Sequence, residues 1–527
     1  MITMSSPRVG SRHWPSLVAA AAALLLSLPA SSLSPVRVDA EVSSSDTPLP
    51  AGWVLSRSAG MSQRPVLLAT QEPLWGVPAF EPPSAAHCKG PARLREWPGA
   101  QVPMQPSTAH SRSSWWDAAK RAEGAVMAAR PAPSALPPSP VPSTSPSPAN
   151  AEAGRVAQGA AATSAQAVRP GEVVSAGMVD DNADFGEYQA FRRRSAHLSP
   201  RDRDSSERYR VSVRDLAGQP VADAEVALSW PGARESLRFA RTDGAGQVWL
   251  LPRMLLSPEV NVQLQGVRTL EVQARAPSGE VVRSSLQRGQ KSAVELTLKQ
   301  RLDAPSQVPL DLVFLVDATG SMGDEIDKLR ASLRSIASRV GALPARPDMC
   351  WGLVAYRDLG DAFVTRTHDL TNDLGAFQQS LVKLQAAGGG DYPEALNEAL
   401  DEVVHRVSWR GAGTSRLVVL VADAPPHLDR GGPFYDQAAA VALAKGIKLH
   451  AVGASGLDGQ GEVVFRQLAQ STGGRFVFLT YREAQRPDSG PGRETVHDVR
   501  DYSVDTLDEL IVRLVADELT QRTRRPG

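Results

Sequence analysis

From about residue 308 onward, the sequence alternates between short apolar runs and longer amphipathic stretches. Runs of valine and leucine are typical of strands buried on both faces, because a strand with one wet face alternates apolar and polar residues. The pattern predicts an α/β fold, namely a doubly wound, mostly parallel sheet with helices on both faces, over residues 308–483. The expected strands are 310–316, 351–356, 363–367, 416–422, 448–452 and 475–479, and the expected helices are 323–340, 373–385, 393–407, 435–445 and 463–471. The short link at 358–362 predicts a hairpin, and so one antiparallel strand at an edge.

Oxygen-bearing side chains follow two of the expected strands and one glycine-rich turn. In an open doubly wound sheet, ligands bind beyond the carboxyl ends of the strands, where the strand order reverses. Hard divalent cations take carboxylate and hydroxyl ligands, and Mg²⁺ prefers few carboxylates together with other oxygens and waters. The sequence therefore predicts a divalent-cation site, with Mg²⁺ as the expected ion and Mn²⁺ or Ca²⁺ as alternatives. The candidate ligands are Asp317, Thr319, Ser321, Asp391 and Asp423.

Each candidate ligand also has a simpler interpretation. Thr319 and Ser321 stand just before a predicted helix, where hydroxyl side chains often cap the N-terminus. Asp391 and Asp423 would each otherwise be solvated loop acids. The metal hypothesis is favoured because the predicted fold brings all three acidic loops to one point, which is improbable by accident.

The segment 308–483 resembles a von Willebrand factor type A domain with a metal-ion-dependent adhesion site. Asp317, Thr319 and Ser321 match the D-x-[ST]-x-S loop of that family, and Asp423 matches its last aspartate. The resemblance implies a Mg²⁺-like ion that keeps one coordination position for an acidic group of a protein partner. It therefore implies a binding module and not an enzyme.

The sequence departs from the integrin-type pattern at Asp391, where that pattern has a metal-binding threonine after the glycines. The motifs D-x-T-G-S-M, A-Y-R-D and G-G-D-x-P-E-A together resemble a secreted and bacterial subgroup of these domains. A third carboxylate would bind the cation more tightly, but it would also cancel the positive charge that attracts a partner's acid. Asp391 therefore strengthens the expectation of a metal and weakens that of acidic-ligand capture.

Residues 208–300 show short alternating runs separated by turn residues, which predicts a small antiparallel β-sandwich. The order of its motifs, D-x-x-G-x-P-V-x-x-A-x-V and then T-D-x-x-G, resembles the carboxypeptidase regulatory-like modules of secreted proteins. No catalytic group is evident in this segment. Asp215, Asp223 and Asp243 are interpreted as solvated turn residues and not as a calcium site.

The remaining segments are predicted to lie outside these two domains. Residues 1–33 have the basic, apolar and small-residue zones of a signal peptide, and their apolar run is too short to span a bilayer. Residues 34–170 are rich in Pro, Ser and Ala and are expected to be a long disordered spacer. Residues 171–207 are expected to be a linker with an acidic turn cluster at 176–184. Residues 484–527 are expected to be an extension whose amphipathic helix, at 505–521, packs back on the α/β domain.

The composition limits the compartment and the partners. No stretch outside the signal-like residues 1–33 is apolar enough to span a membrane. The two features together predict an exported protein, whether secreted, periplasmic or on the cell surface. Lys+Arg and Asp+Glu both number 57, so no overall charge indicates nucleic acid or an anionic membrane. A disulfide between Cys88 and Cys350, the only cysteines, is not expected, and Cys350 is interpreted as a small buried hydrophobe. Asp324 and Glu325 are assigned to the dipole of the helix that they begin.

Several functions remain open from the sequence. An adhesion or protein-binding module, with the sandwich as spacer, is favoured, and an ion that only ties the three loops together is the main alternative. A metal-assisted hydrolase would need a general base beside the ion, and His405 and His427 show no base-orienting arrangement; His427 is interpreted as a solvated loop residue. A phosphate cradle at the glycines is disfavoured, because Asp391 would repel the anion and no G-K-[ST] follows.

Overall fold

The computed structural model describes residues 88–89, 93–99, 173–198, 201, 203–231, 237–255, 262, 264–290, 292–303, 305, 307–390, 392–411 and 413–523. The expected signal peptide and most of the expected spacer lie outside these residues, and so does Asp391. Within the described ranges, no helix combines the length and the apolar character needed to cross a membrane.

The secondary structure follows the predicted alternation from residue 308 onward and adds elements before it. The strands are β1 (Leu94–Pro98), β2 (Ser175–Val179), β3 (Tyr209–Arg214), β4 (Glu225–Ser229), β5 (Leu237–Arg241), β6 (Gln247–Leu250), β7 (Thr269–Arg275), β8 (Val281–Gln287), β9 (Ala293–Thr297), β10 (Pro309–Asp317), β11 (Asp348–Tyr356), β12 (Phe363–Thr371), β13 (Ser415–Ala422), β14 (Ile447–Gly453), β15 (Phe476–Leu479), β16 (Tyr481–Glu483), β17 (Arg486–Pro491) and β18 (Ser503–Thr506). The helices are α1 (Phe185–Arg194), α2 (Pro252–Leu255), α3 (Gly323–Gly341), α4 (Leu374–Val382), α5 (Leu396–Arg406), α6 (Tyr435–Lys445), α7 (Gly459–Thr472) and α8 (Leu507–Thr523), and a 3₁₀ turn spans Gly320–Met322.

A nine-stranded sheet forms the centre of the α/β domain, in the order β1-β12-β11-β10-β13-β14-β15-β2-β18. Five neighbouring strands of this sheet are parallel to one another, namely β11, β10, β13, β14 and β15. The chain passes from β10 to β11 on one side and returns to β13 on the other, so the strand order reverses between β10 and β13. The carboxyl ends of these two central strands therefore open onto one crevice, which is where doubly wound sheets bind ligands.

Helices cover both faces of this sheet. On one face α3, α4 and α8 pack around a core that includes Leu312 and Phe314, and on the other face α5, α6 and α7 pack around a core that includes Val313 and Leu315. Neighbouring residues of β10 thus enter opposite cores, as the two-residue period of a strand requires. The predicted doubly wound α/β fold is confirmed. The C-terminal helix α8 packs back on this domain as expected, with Leu510 fully buried.

The strand expected at the edge of the sheet is covered by another one. β12 is antiparallel to β11, as the hairpin predicts, but β1 pairs antiparallel with the free side of β12. Arg95 of β1 binds the carboxylates of Asp369, at 2.6 Å, and Glu402, at 3.3 Å. The expectation of low order is therefore wrong for residues 94–98, which find their partner about 270 positions further along the chain.

The pairing of β1 also brings the two cysteines together. Cys88 and Cys350 form a disulfide, with their Cα atoms 6.1 Å apart. The sequence interpretation of Cys350 as an unpaired hydrophobe is wrong, although the residue is fully buried. It failed because nothing local to Cys88 shows that its neighbourhood docks beside β11.

The segment expected to be a linker, 171–207, contributes to the α/β domain. β2 inserts between β15 and β18 and is antiparallel to both. The acidic turn after β2 binds the domain and not the sandwich: Asp181 pairs with buried Arg466 at 2.6 Å, and Asp180 pairs with Arg475 at 2.8 Å. The interpretation of 176–184 as a local turn cluster is confirmed for Asp180, which accepts from the backbone N–H groups of Asn182 and Ala183 at 3.0 Å each. It is incomplete, because the acids of this turn also hold the segment on helix α7 and on the start of β15.

Between β2 and β10 the chain forms a smaller β domain of two sheets. The sheets have the orders β6-β3-β9 and β5-β4-β7-β8, and a shared apolar core lies between them. All pairs are antiparallel except β3 and β9, which are parallel. Asp215 and Asp243 each accept hydrogen bonds from two backbone N–H groups of their own turn, which explains the two similar turn motifs.

Buried charges join the sandwich to the α/β domain. Asp223, on the sandwich, accepts from Arg416 at 2.9 Å, and both side chains are almost fully buried. Glu518 of α8 accepts from the backbone N–H of Gly244 at 2.6 Å and binds Lys448 at 2.7 Å. The interpretation of Asp223 as a solvated turn residue is therefore wrong, since it is an internal ion-pair partner between the two domains.

Candidate metal site

The loop after β10 places three of the predicted ligands side by side. Asp317 Oδ1 accepts from the backbone N–H of Thr319 at 2.9 Å and from its hydroxyl at 2.7 Å. The hydroxyl of Thr319 lies 3.1 Å from that of Ser321. Neither hydroxyl caps the 3₁₀ turn or helix α3. The capping alternative is therefore wrong, and the two hydroxyls instead belong to the acidic loop.

Asp423 faces this loop from the end of β13, the neighbouring strand. Burial raises the pKa of Asp423, and a hydrogen bond from the Ser321 hydroxyl opposes that shift. Burial, and then the charge of Asp423, raise the pKa of Asp317 to about 7. The structure thus brings Asp317, Thr319, Ser321 and Asp423 together, and Asp423, which is 5 % exposed, is not a solvated loop acid.

The glycine turn, formed by Gly388, Gly389 and Gly390, approaches the same loop. Gly320 N–H donates to the Gly388 carbonyl at 2.9 Å, and a Cβ on Gly389 would lie 3.0 Å from the Cβ of Thr319. Gly389 also has a φ of +68°, which favours glycine. Asp391, two residues further on, lies outside the described residues, so its predicted role stays a prediction.

The side chains present fit a divalent cation in their chemistry. Asp317 Oδ2 and Asp423 Oδ1 are buried and have no hydrogen-bond partner. A buried carboxylate oxygen without a partner is costly, and a cation is one of the few groups that satisfies it. Two aspartates with two hydroxyls are a donor set that suits Mg²⁺. Among the described residues, however, no three acidic, histidine or cysteine side chains group closely enough to hold an ion.

Glu394 is a buried acid beside the site. The sequence interpretation did not identify it. Burial, and then the charges of Asp317 and Asp358, raise the pKa of Glu394 to about 9. Its Oε2 is buried and has no hydrogen-bond partner. The only sequence signal was its place in the G-G-D-x-P-E-A motif, where a glutamate near a helix start is ordinarily explained by the helix dipole.

Two further side chains have roles that differ from the expected ones. His427 is buried, and its Nε2 lies 2.8 Å from the Oδ1 of Asp358, so it is not a solvated loop residue. Glu325 accepts from the backbone N–H of Ser455 at 3.0 Å and from the Tyr481 hydroxyl at 3.3 Å. Its assignment to the helix dipole alone is therefore incomplete, because it links α3 to the loop after β14.

A pH experiment on Glu325→Gln tests the electrostatics of this end of the sheet. Burial raises the pKa of Glu325 from 4.5 to about 7, so its ionised form is disfavoured in the folded state. In chelator, the wild type should therefore lose stability relative to the variant as the pH rises from about 4.5 to about 7, with no further change above that. We expect a final difference of about 3 kcal/mol. Urea unfolding across this pH range measures it, and a difference independent of pH would contradict the assignment.

Residues 311–486 match the family model of the von Willebrand factor type A domain, and this segment is such a domain. Domains of this family commonly mediate protein interactions or adhesion. Three relatives each match about a sixth to a quarter of the chain. A putative ariadne-like RING finger protein of Acanthamoeba polyphaga mimivirus is 31 % identical over 122 residues, which are 23 % of this chain and 12 % of the relative. Alpha-protein kinase vwkA of Dictyostelium discoideum is 29 % identical over 120 residues, which are 22 % of this chain and 19 % of the kinase.

The third relative carries the family name itself. Von Willebrand factor A domain-containing protein 7 of Rattus norvegicus is 37 % identical over 90 residues, which are 17 % of this chain and 10 % of the relative. In each of the three alignments, the chain covers less than a fifth of the relative's length. The similarity is therefore that of one shared domain, set in proteins of different kinds.

Proposed function

We propose that this chain is an exported protein-binding or adhesion module that holds a divalent cation at the carboxyl end of its central sheet and uses it to contact a partner. The observation that carries the proposal is the pair of buried, unpartnered oxygens on Asp317 and Asp423, set against the hydroxyls of Thr319 and Ser321. Asp391 is proposed as a further ligand. A bound Mg²⁺ would supply a positive charge and an open coordination position.

The arrangement favours binding over catalysis. A metal-assisted hydrolase needs a general base in reach of the ion. Near the proposed ligands, His427 is already engaged by Asp358 and is buried. Glu394 lies among the negative charges of Asp317, Asp358, Asp361 and Asp423, so it suits retention of a cation. We therefore infer a non-enzymatic role for the site.

The partner is proposed to be a protein that presents an acidic or other oxygen ligand to the ion. The carboxylates at this end of the sheet outnumber the charge of one divalent ion, since Asp317, Glu394 and Asp423 are all buried there. An acidic ligand would therefore be attracted weakly, and contacts with the surrounding loops would supply most of the affinity. Tyr392, which is 48 % exposed next to Asp391 in sequence, is a loop side chain suited to such a contact.

Export is supported by the N-terminal sequence and by the disulfide. Disulfides persist mainly in oxidising compartments, and the bond between Cys88 and Cys350 joins the only two cysteines of the chain. Together with the signal-like residues 1–33, this supports a secreted, periplasmic or cell-surface location. The β domain at 208–300 is proposed to be a carboxypeptidase regulatory-like spacer, and the metal site is assigned to the D-x-T-G-S-M subgroup.

Partner capture tests this function against a purely structural ion. The full chain would serve as immobilised bait for proteins of its own compartment, in Mg²⁺ and in chelator, beside the variant Asp423→Asn. We expect at least about a tenfold loss of the captured proteins both in chelator and with the variant, because both remove the ion. Glu483→Gln, at an exposed side chain on β16, is the matched control and should capture normally. Capture that is indifferent to chelator and to Asp423→Asn would leave only a structural role for the site.

A further inference from the structure

A backbone hydrogen bond holds Glu394 beside the metal site, independently of its side chain. Its N–H donates to the carbonyl of Pro425 at 3.1 Å, so it is tied to the loop that follows Asp423. The residue is 4 % exposed. Glu394 therefore lies at the junction of two of the loops that carry the proposed ligands.

The glycine turn leaves the space that the carboxylate of Glu394 occupies. A Cβ on Gly389 would stand 2.8 Å from Glu394 Oε1 and 3.0 Å from the Cβ of Thr319. A side chain at position 389 would thus separate the glutamate from the acidic loop. Because Gly389 has no side chain, the Glu394 carboxyl group can approach the side of the loop that bears the ligands.

The charges around this carboxyl group are acidic. Oε2 is buried and has no hydrogen-bond partner. The charged groups that act on it most strongly are Asp317, Asp358, Asp361 and Asp423, all of them negative. A buried acid among acids is destabilising unless a cation is present. One cation placed by Asp317 and Asp423 would satisfy this acid as well.

We propose that Glu394 is a positioning residue of the cation site, acting on the ion through the water that such an ion retains and not as a direct ligand. This inference rests on the proposed function, since it needs the ion. A role through water agrees with the described side chains, among which no three acidic groups close on one point. It also agrees with the chemistry of Mg²⁺, which keeps several of its waters when a protein binds it.

Helix α5 offers a matched control. Glu398 lies one turn after Glu394, and its Oε2 is also buried without a hydrogen-bond partner. The charged groups that act on Glu398 are His427, Asp358 and Arg430, and Asp317 and Asp423 are not among the main ones. Glu394 lies two residues before the helix and Glu398 in its first turn, and each has an unpartnered oxygen, but only Glu394 is acted on strongly by the charges of Asp317 and Asp423.

The test is calorimetric titration of Mg²⁺ into the full-length wild type, Glu394→Gln and Glu398→Gln, together with melting in chelator. Loss of an acceptor that holds the ion through water should weaken Mg²⁺ binding about tenfold or more in Glu394→Gln. Glu398→Gln should change it less than about twofold. In chelator, Glu394→Gln should melt at or above the wild-type temperature, because it removes an acid from an acidic surrounding. A structural residue would instead lower the melting temperature in chelator when it is replaced.

The outcomes separate this inference from the function on which it rests. No Mg²⁺ binding by the wild type would overturn both the site and the role of Glu394. Binding by the wild type with the same affinity in Glu394→Gln would overturn the role of Glu394 alone. Glu394→Asp keeps the charge on a shorter side chain and should recover part of the affinity. If it binds no better than Glu394→Gln, or if both variants unfold, Glu394 acts through packing and the inference fails.

Discussion

Mg²⁺ should raise the melting temperature of the wild type relative to chelator and should leave that of Asp317→Asn unchanged. At about 100 times its dissociation constant, an ion that binds only the folded state adds about 2.7 kcal/mol of stability. If the von Willebrand factor type A domain unfolds alone, this corresponds to about 7 °C. If the sandwich unfolds with it, the larger unit shifts by about 4 °C.

The variant is chosen to keep the loop while it removes the charge. An asparagine at position 317 retains an oxygen that can accept from Thr319, which now donates to Asp317 Oδ1 through both its N–H and its hydroxyl. Scanning calorimetry in Mg²⁺, in chelator and in K⁺ at equal ionic strength separates ion binding from screening. If Mg²⁺ raised the melting temperature equally in the wild type and in Asp317→Asn, Asp317 would not be a ligand of the ion.

Arg416→Ala should be the most destabilising of the substitutions considered for this chain. Arg416 is 1 % exposed and donates to Asp223 at 2.9 Å and to the carbonyls of Arg410 and Lys445 at 2.8 and 3.0 Å. Its removal leaves buried oxygens without a donor and deprives the ion pair between the domains of its α/β partner. A loss of about 3 to 5 kcal/mol is expected.

Urea unfolding of the full chain measures this loss. Arg486→Ala is the control, since Arg486 is exposed and its pair with Glu483, at 3.3 Å, should contribute less than about 1 kcal/mol. Because Asp223 belongs to the sandwich, we also expect the variant to unfold over a broader transition than the wild type. A loss below about 1 kcal/mol with Arg416→Ala would show that the buried pair does not couple the two domains.

The central strands and the covering helices were predictable because each is long and has a clear period. β10 contains the apolar run from Leu312 to Val316, and Tyr435–Lys445 was predicted with the bounds of α6. β1 and β2 were not predicted. Each is five residues long and pairs with strands far away in sequence, so the contacts that order them are absent from the local pattern.

Some residues of the candidate site were predictable from the sequence and others were not. Asp317 and Asp423 were predictable, because each follows a strongly apolar strand and the topology of the fold brings the ends of those strands together. Glu394 was not, because its position depends on how closely the turn at Gly389 approaches and on a hydrogen bond to Pro425. The burial of His427 against Asp358 likewise depends on loop packing, which no periodicity encodes.

Diffraction from crystals grown with Mn²⁺ would test the cation site most directly, because the anomalous signal of the ion marks its position without reference to any function. The structure predicts a peak within about 2.5 Å of an oxygen of both Asp317 and Ser321, on the side of Oδ2 of Asp317 and Oδ1 of Asp423. The peak should vanish in Asp317→Asn. A map without a peak at the carboxyl ends of β10 and β13, with Mn²⁺ in excess, would contradict the site and the proposed function.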